Sequence, residues 1–410
     1  MCSNRVGPRD ARNGGIFQFR TKRQPVGFYA LAVPIPDITI PTELLPPDGR
    51  FGCGPSKVRL ESLAALAETG TSFLGTSHRQ DTVKHMVRRL RAGLREFFDL
   101  PDDYEVLLGN GGATGFWDIA AFGLITNKSQ HLVCGEFSSK FADAARNAPH
   151  LGDPTVIESA PGTRPYAKAE AEVDTYCLVH NETSTGVSME IVRPAGTSAA
   201  NDELVIVDAT SGAGGLAVDP ANFDCYYFAP QKCFGSDGGL WVALCSPAAL
   251  KRIATISAGG RWIPASLDLA TAVDNSTKNQ TYNTPALATI FLFVQQLEWM
   301  NVQGGLKWAA SRCAESASIM YSWAESRPFA TPFVADPTDR SNVVATIDLD
   351  GVDANVVSAV LRVNGIVDTD SYRKLGRNQL RVAMFPAIDP QDIRALTDCI
   401  DYVVNALAKT

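Results

Sequence analysis

Short runs of consecutive apolar residues alternate along this chain with stretches whose apolar positions recur every three or four residues. Within 84–98, Met86, Val87, Leu90, Leu94, Phe97 and Phe98 recur at helical spacing. Residues 105–108 then read as a strand, 116–125 as a helix, 131–133 as a strand and 138–148 as a helix. Compact apolar runs follow at 176–179, 204–207, 225–228 and 240–244, each bounded by polar residues or glycine. Runs of this length, apolar throughout, suit strands buried on both faces of a mostly parallel sheet. Their polar ends then gather at the carboxyl edge, where such sheets bind ligands.

Two long helices are predicted at 285–300 and 306–327, on either side of Gly304-Gly305. The pattern then changes to a strand at 343–349, a helix at 354–364 and a strand at 380–385. The last helix has Asp389 as N-cap and Pro390 in its first turn, with Ile393, Leu396, Ile400, Val403 and Leu407 on one face. The expected fold class is α/β: a large domain over 61–305 and a small α+β domain over 306–410. Pro34, Pro36, Pro41, Pro46 and Pro47 make an extended connector before regular structure begins near Leu60, and residues 36–60 are expected to pack with the small domain.

A chain of 410 residues is long enough for two cores. Its net charge of −7 offers no global field for nucleic acid, so an anionic ligand needs a local basic cluster. The nine cysteines are odd in number, widely spaced and without a C-x-x-C, which fits a reducing cytoplasm better than a disulfide framework or zinc knuckle. No metal site is expected from the five scattered histidines. No run approaches the roughly 18 apolar residues of a membrane span. Residues 1–35 carry Arg5, Arg9, Arg12, Arg20, Lys22 and Arg23 with Asp10 as the one acid. They read as a disordered extension, with a basic arm or a transit peptide as the other readings.

Four strand ends carry candidate chemistry. The turn Gly109-Asn110-Gly111-Gly112-Ala113-Thr114-Gly115 lies between a strand and a helix, where glycines let backbone N–H groups and the helix dipole meet a phosphate. A tight packing turn is the equal alternative. Asp208 closes a buried strand and needs a cation or donors, such as a protonated pyridine nitrogen; a cap or structural ion pair is the other reading. Lys232 ends the aromatic strand Cys225-Tyr226-Tyr227-Phe228 through Ala229-Pro230-Gln231, a costly place for lysine unless it is used covalently as a Schiff base. His180-Asn181-Glu182-Thr183 follows a fourth strand; Thr183 offers a hydroxyl to a cofactor, and His180 reads as a core histidine.

Together these segments resemble the fold-type I pyridoxal-phosphate enzymes. Gly52-Cys53-Gly54-Pro55-Ser56, Ser77-His78-Arg79, Ala229-Pro230-Gln231-Lys232 and Tyr282-Asn283-Thr284-Pro285 resemble the phosphoserine aminotransferase family, in its actinobacterial-type branch, from about Pro41 onward. The resemblance implies pyridoxal 5'-phosphate on Lys232, Asp208 against the ring nitrogen, and Phe137 stacked on the ring. It implies further cofactor contacts from Ala113, Thr114, Thr183, Thr210 and Gln231. Asn283 and Thr284 would reach the phosphate across a homodimer; locally they also read as an N-cap ahead of Pro285. Many relatives have arginine where this chain has Thr114, so one cation is missing from the site. Arg381 matches the clamp for the substrate α-carboxylate, and His78 with Arg79 the distal anion site. Arg373, Lys374 and Arg377 form a further basic cluster in ambiguous register, from which Arg373 is taken as a substrate contact.

The implied reaction moves the amino group of L-glutamate to 3-phosphohydroxypyruvate, giving O-phospho-L-serine and 2-oxoglutarate. A side role on 4-phosphohydroxythreonine in pyridoxine synthesis is implied as well. The partners implied are small-molecule substrates and a second copy of the chain. A cysteine desulfurase or an alanine–glyoxylate aminotransferase of the same class is the alternative. Phe137 in place of a stacked histidine, and no cysteine in 365–385, speak against the desulfurase. A non-catalytic binding protein that keeps the fold is the rival from another class.

Overall fold

The computed structural model describes residues 35–409, so the reading of residues 1–35 as an extension lies, Ile35 apart, outside the described residues. The first helices are α1 (Leu60–Glu68) and α2 (Asp81–Phe97). Strand β1 (Glu105–Asn110) leads into α3 (Ala113–Gly123), β2 (Ser129–Val133) into α4 (Glu136–Asn147), and β3 (Thr155–Glu158) into β4 (Thr175–Val179). A two-residue hairpin, β5 (Asn181–Glu182) and β6 (Val187–Ser188), precedes β7 (Leu204–Asp208), β8 (Cys225–Phe228) and β9 (Leu240–Cys245). Helices α5 (Pro247–Ala258), α6 (Leu269–Thr277), α7 (Leu287–Gln303) and α8 (Gly305–Glu325) follow. The last third holds β10 (Ala330–Pro332), β11 (Val344–Leu349), α9 (Ala354–Val363), β12 (Gln379–Ala383) and α10 (Pro390–Leu407).

Seven strands form one sheet in the order β1-β9-β8-β7-β4-β2-β3. Only β9 runs against the rest, pairing antiparallel with β1 and β8. The carboxyl ends of β1, β8, β7 and β4, the four strand ends singled out above, therefore share one edge, together with that of β2. Side-chain alternation splits the core by face. Val106, Leu108, Val205, Val207, Tyr226 and Phe228 face α2 and α7, whereas Leu107, Leu204, Ile206, Cys225 and Tyr227 face α3 to α6. A second sheet, β10-β11-β12, packs against α8, α9 and α10. Ile40, Phe51 and Cys53 from the connector belong to that second core.

Helix α10 starts as expected: the Asp389 carboxylate accepts from the Gln391 N–H, and Pro390 occupies the first turn. The expected N-cap at Asn283 and Thr284 is corrected. Helix α7 begins at Leu287, after Ala286 in extended conformation, and has no side-chain cap. Asn283 Oδ1 instead accepts from its neighbour's N–H in the loop (2.8 Å), so its capping oxygen is used before the helix begins.

Candidate active site

Strand β8 delivers Lys232 through the turn Ala229-Pro230-Gln231, which the connector pins: Ser56 N–H donates to Gln231 O (2.9 Å) and Ser56 Oγ to Lys232 O (2.6 Å). The Lys232 ammonium donates to the Cys53 carbonyl. Gly54 closes over the lysine with φ near +131°, and a Cβ there would stand 2.3 Å from Nζ, so only glycine leaves the amine its space. Burial pushes the Lys232 pKa down to about 8; the Arg381 charge acts in the same direction, while Asp208 opposes it. Those influences put Lys232, Asp208 and Arg381 in one electrostatic field. A lysine held near 8 is a proton carrier suited to neutral pH. The rate at which cofactor-free protein takes up pyridoxal phosphate should rise about tenfold per pH unit below about 8 and then level off; an unshifted lysine would keep rising toward 10.5. Stopped-flow absorbance measures this directly.

Asp208 ends β7, and the same alternation that buries Leu204 and Ile206 under α3 turns its carboxylate that way. Oδ1 accepts from the Thr210 N–H (3.0 Å) and hydroxyl (2.6 Å). Oδ2 accepts from the Trp117 indole N–H (3.1 Å) and the Tyr227 hydroxyl (2.9 Å). Thr210, expected at the cofactor, thus spends its hydroxyl proton on Asp208. Trp117 and Tyr227 were missed in the sequence because both read as ordinary apolar positions of a helix and a strand.

The glycine turn after β1 is tied down by a bond from Gly111 N–H to Gly239 O (3.1 Å), at the start of β9. Helix α3 begins at Ala113, so its first N–H groups lack intrahelical partners, and nothing stands within 4 Å of the Cβ positions at Gly112 and Gly115. The space is open for an anion. Gln231 Oε1 is also buried without a hydrogen-bond partner. A cradle with open glycine faces, a depressed lysine and an orphaned amide at one sheet edge fit pyridoxal phosphate.

Phe137 sits in the first turn of α4, 5.8 Å from Tyr372 and tilted to it. That turn is held from a distance by Glu182, which is fully buried. The Glu182 carboxylate accepts from the N–H groups of Phe137 (3.4 Å), Ser138 (2.9 Å) and Ser184 (3.1 Å), and from both serine hydroxyls. It acts as a long-range N-cap, satisfying donors that the helix start leaves free. Glu182→Ala should lower the unfolding free energy by about 2–4 kcal/mol, read by denaturant titration.

Arg381, on β12, lies over the Tyr372 ring (5.3 Å) and donates to Thr183 O (3.3 Å). Its Nε is buried without a partner, and no carboxylate pairs with it among the described residues. The Thr183 hydroxyl donates to Ser211 (2.8 Å). His180 is the core histidine expected: it is buried, its Nδ1 lies 2.8 Å from the Tyr226 hydroxyl, and burial pushes its pKa down to about 4. His78, half-buried with its Nε2 buried and unpartnered, lies beside the exposed Arg79, Asn283 and Thr284. There the Thr284 hydroxyl lies 3.2 Å from His78 Nδ1, and Arg79 donates to Gln280 (3.4 Å). Asn110, at the rim of the glycine turn, donates to Thr284 O (2.9 Å). Within the basic cluster, Lys374 pairs with Glu136 and Arg377 with Asp348, while Arg373 is exposed.

This edge is built like that of an aminotransferase, and comparison with known proteins agrees. Residues 60–369 match the class-V aminotransferase model, and the chain belongs to that family of pyridoxal-phosphate enzymes. Phosphoserine aminotransferases are among its relatives. It is 62% identical to that of a Nocardioides species over 371 residues, which are 90% of this chain and 99% of the relative. To that of Rhodococcus jostii it is 60% identical, over 90% of this chain and 98% of the relative. Among solved structures, it resembles the phosphoserine aminotransferase of Cytophaga hutchinsonii with a TM-score of 0.78 at 25% identity, covering 86% of this chain and 99% of that one. Among the described residues no helix is long and apolar enough to cross a membrane.

Proposed function

We propose that this chain is a cytoplasmic, homodimeric phosphoserine aminotransferase that moves the amino group of L-glutamate to 3-phosphohydroxypyruvate. The same site would take the homologous 4-phosphohydroxythreonine pair. The observation that carries the reading is Arg381: a partly buried cation without an acid partner among the described residues, in the field of Lys232 and beside the end of the cofactor edge. Both amino donor and acceptor carry an α-carboxylate for it, and a planar guanidinium binds that group in two-point fashion.

Lys232, Asp208, Gln231, Thr183 and the first turn of α3 with Ala113 and Thr114 would hold the cofactor, with Phe137 against its ring. Bound pyridoxal phosphate supplies the electron sink for charge developing at the substrate α-carbon. Lys232, freed when substrate binds, carries the proton to and from that carbon. Arg79 supplies positive charge for the distal anion; burial and the Arg79 charge push the His78 pKa down, so His78 offers that anion a ring N–H rather than a charge. Exposed Arg79, Asn283 and Thr284, beside half-buried His78, suit a place at the mouth of a partner copy's site. Arg373, on an exposed turn and without an acid partner among the described residues, would add charge near the entrance.

The deciding experiment offers the enzyme phosphohydroxypyruvate, pyruvate and glyoxylate with glutamate as donor. Phosphohydroxypyruvate should be preferred by kcat/KM, and Arg79→Ala should lower that preference about tenfold or more while leaving unfolding unchanged. A preference for pyruvate or glyoxylate sinks the substrate assignment.

A further inference from the structure

The Asp208 carboxylate is not left to find a ring nitrogen unaided. In the pairing of β7 with β8, Asp208 stands directly opposite Tyr227. Both side chains point to the face covered by α3, because both follow the parity of residues buried there. The Tyr227 ring is clamped on two sides: Phe116 stacks on it at 4.4 Å and 24°, and Phe141 meets it edge-on at 5.8 Å. A ring so held has one place to put its hydroxyl, and that place is Asp208 Oδ2. Trp117, the next residue of α3 after Phe116, brings its indole N–H to the same oxygen. The two aromatics are 0% and 6% exposed, and neither polar atom has a second hydrogen-bond partner in the described structure.

Burial and the Asp208 charge push the Tyr227 pKa well up, so its hydroxyl remains a donor throughout the working pH range. With Thr210 on Oδ1, two donors hold each carboxylate oxygen, and a ring N–H would join them as a further, shared contact. The carboxylate is thereby fixed in plane and reach before any cofactor arrives.

We propose that Trp117 and Tyr227 are positioning residues that set the Asp208 carboxylate for the nitrogen of the cofactor ring. The inference rests on the reading of Lys232 and Asp208 as the pyridoxal-phosphate pair. It adds to that pair two aromatic residues whose polar atoms act through Asp208. A carboxylate held in place keeps the ring nitrogen protonated, and a protonated ring draws charge from the nitrogen shared with Lys232. If Asp208 loses one anchor, that draw weakens, and the shared nitrogen keeps its proton to higher pH.

Trp117→Phe and Tyr227→Phe each remove one donor and keep an aromatic ring; the second removes a single oxygen atom. Three quantities are measured on cofactor-loaded protein: the pH midpoint of the visible absorbance change, the dissociation constant for pyridoxal phosphate, and the unfolding temperature. Each variant should shift the midpoint upward by about half a pH unit or more and weaken cofactor binding about 3- to 10-fold. A merely structural pair would move the unfolding temperature alone. An unchanged midpoint and unchanged affinity in both variants overturn the proposal, whatever the unfolding temperature does. Failure of the underlying reading looks different: the unmutated protein would then show no visible band and no borohydride-fixed adduct on Lys232.

Discussion

Lys232→Ala is expected to reduce amino transfer by about 10³-fold or more while the protein remains folded. Two contributions vanish together: the covalent seat of the cofactor and the proton carrier for the substrate α-carbon. The fold should survive because the lysine side chain makes one hydrogen bond, to the Cys53 carbonyl. The structural bonds at this position reach its backbone oxygen, from Ser56 Oγ and the Gly235 N–H, and alanine keeps both. Removing a buried cation whose pKa is already depressed also relieves a desolvation cost. Steady-state turnover and denaturant unfolding, measured on the same preparation, check the two halves. Substantial activity in this variant would defeat the assignment of the site.

The second large effect belongs to Arg381→Ala. A charge-assisted, two-point bond from a half-buried guanidinium to the substrate carboxylate is worth about 3 kcal/mol, or ~10²-fold in kcat/KM. The loss should fall on glutamate and on the keto acid alike, because both present the same α-carboxylate. That symmetry separates Arg381 from Arg79, whose replacement should act on the distal anion. Arg381→Lys should recover little, since an ammonium cannot reproduce the planar fork. Tyr372 and the Thr183 carbonyl, which hold the guanidinium now, give it a fixed direction without neutralising it. Initial rates with each substrate varied in turn measure the symmetry; a loss confined to one substrate would remove Arg381 from the carboxylate role.

Much of the architecture was legible because it is local. The run Leu204–Asp208 is apolar until its last residue, and Asp208 announces itself by ending it. Asp389 and Pro390 mark the start of α10 within two positions, and Met86 to Phe97 trace one face of α2. Less was visible where the local signal is weak. Strand β3 has four residues and only partial burial, and α1 buries little beyond Ser62, so neither produced a pattern to read. The start of α7 moved from 285 to 287 because Ala286 stays extended.

The sequence by itself determined which side chains stand at the ends of strands, and so placed Lys232, Asp208, the glycine turn and Thr183 at one edge of a mostly parallel sheet. Periodicity and strand polarity are short-range properties, and they survive without coordinates. Tertiary structure alone decided what those side chains touch. Asp208 meets Trp117 across 91 positions, Glu182 reaches back 44 to Ser138, and Arg381 meets Thr183 across 198. The physical reason is that an aromatic residue in a core gives the same apolar signal whether its polar atom is idle or aimed at a carboxylate. Only sheet register and helix packing tell the two apart. The same packing sorted the basic cluster of the 373–377 loop, giving Lys374 and Arg377 to acids, and left Arg381 without an acid partner among the described residues.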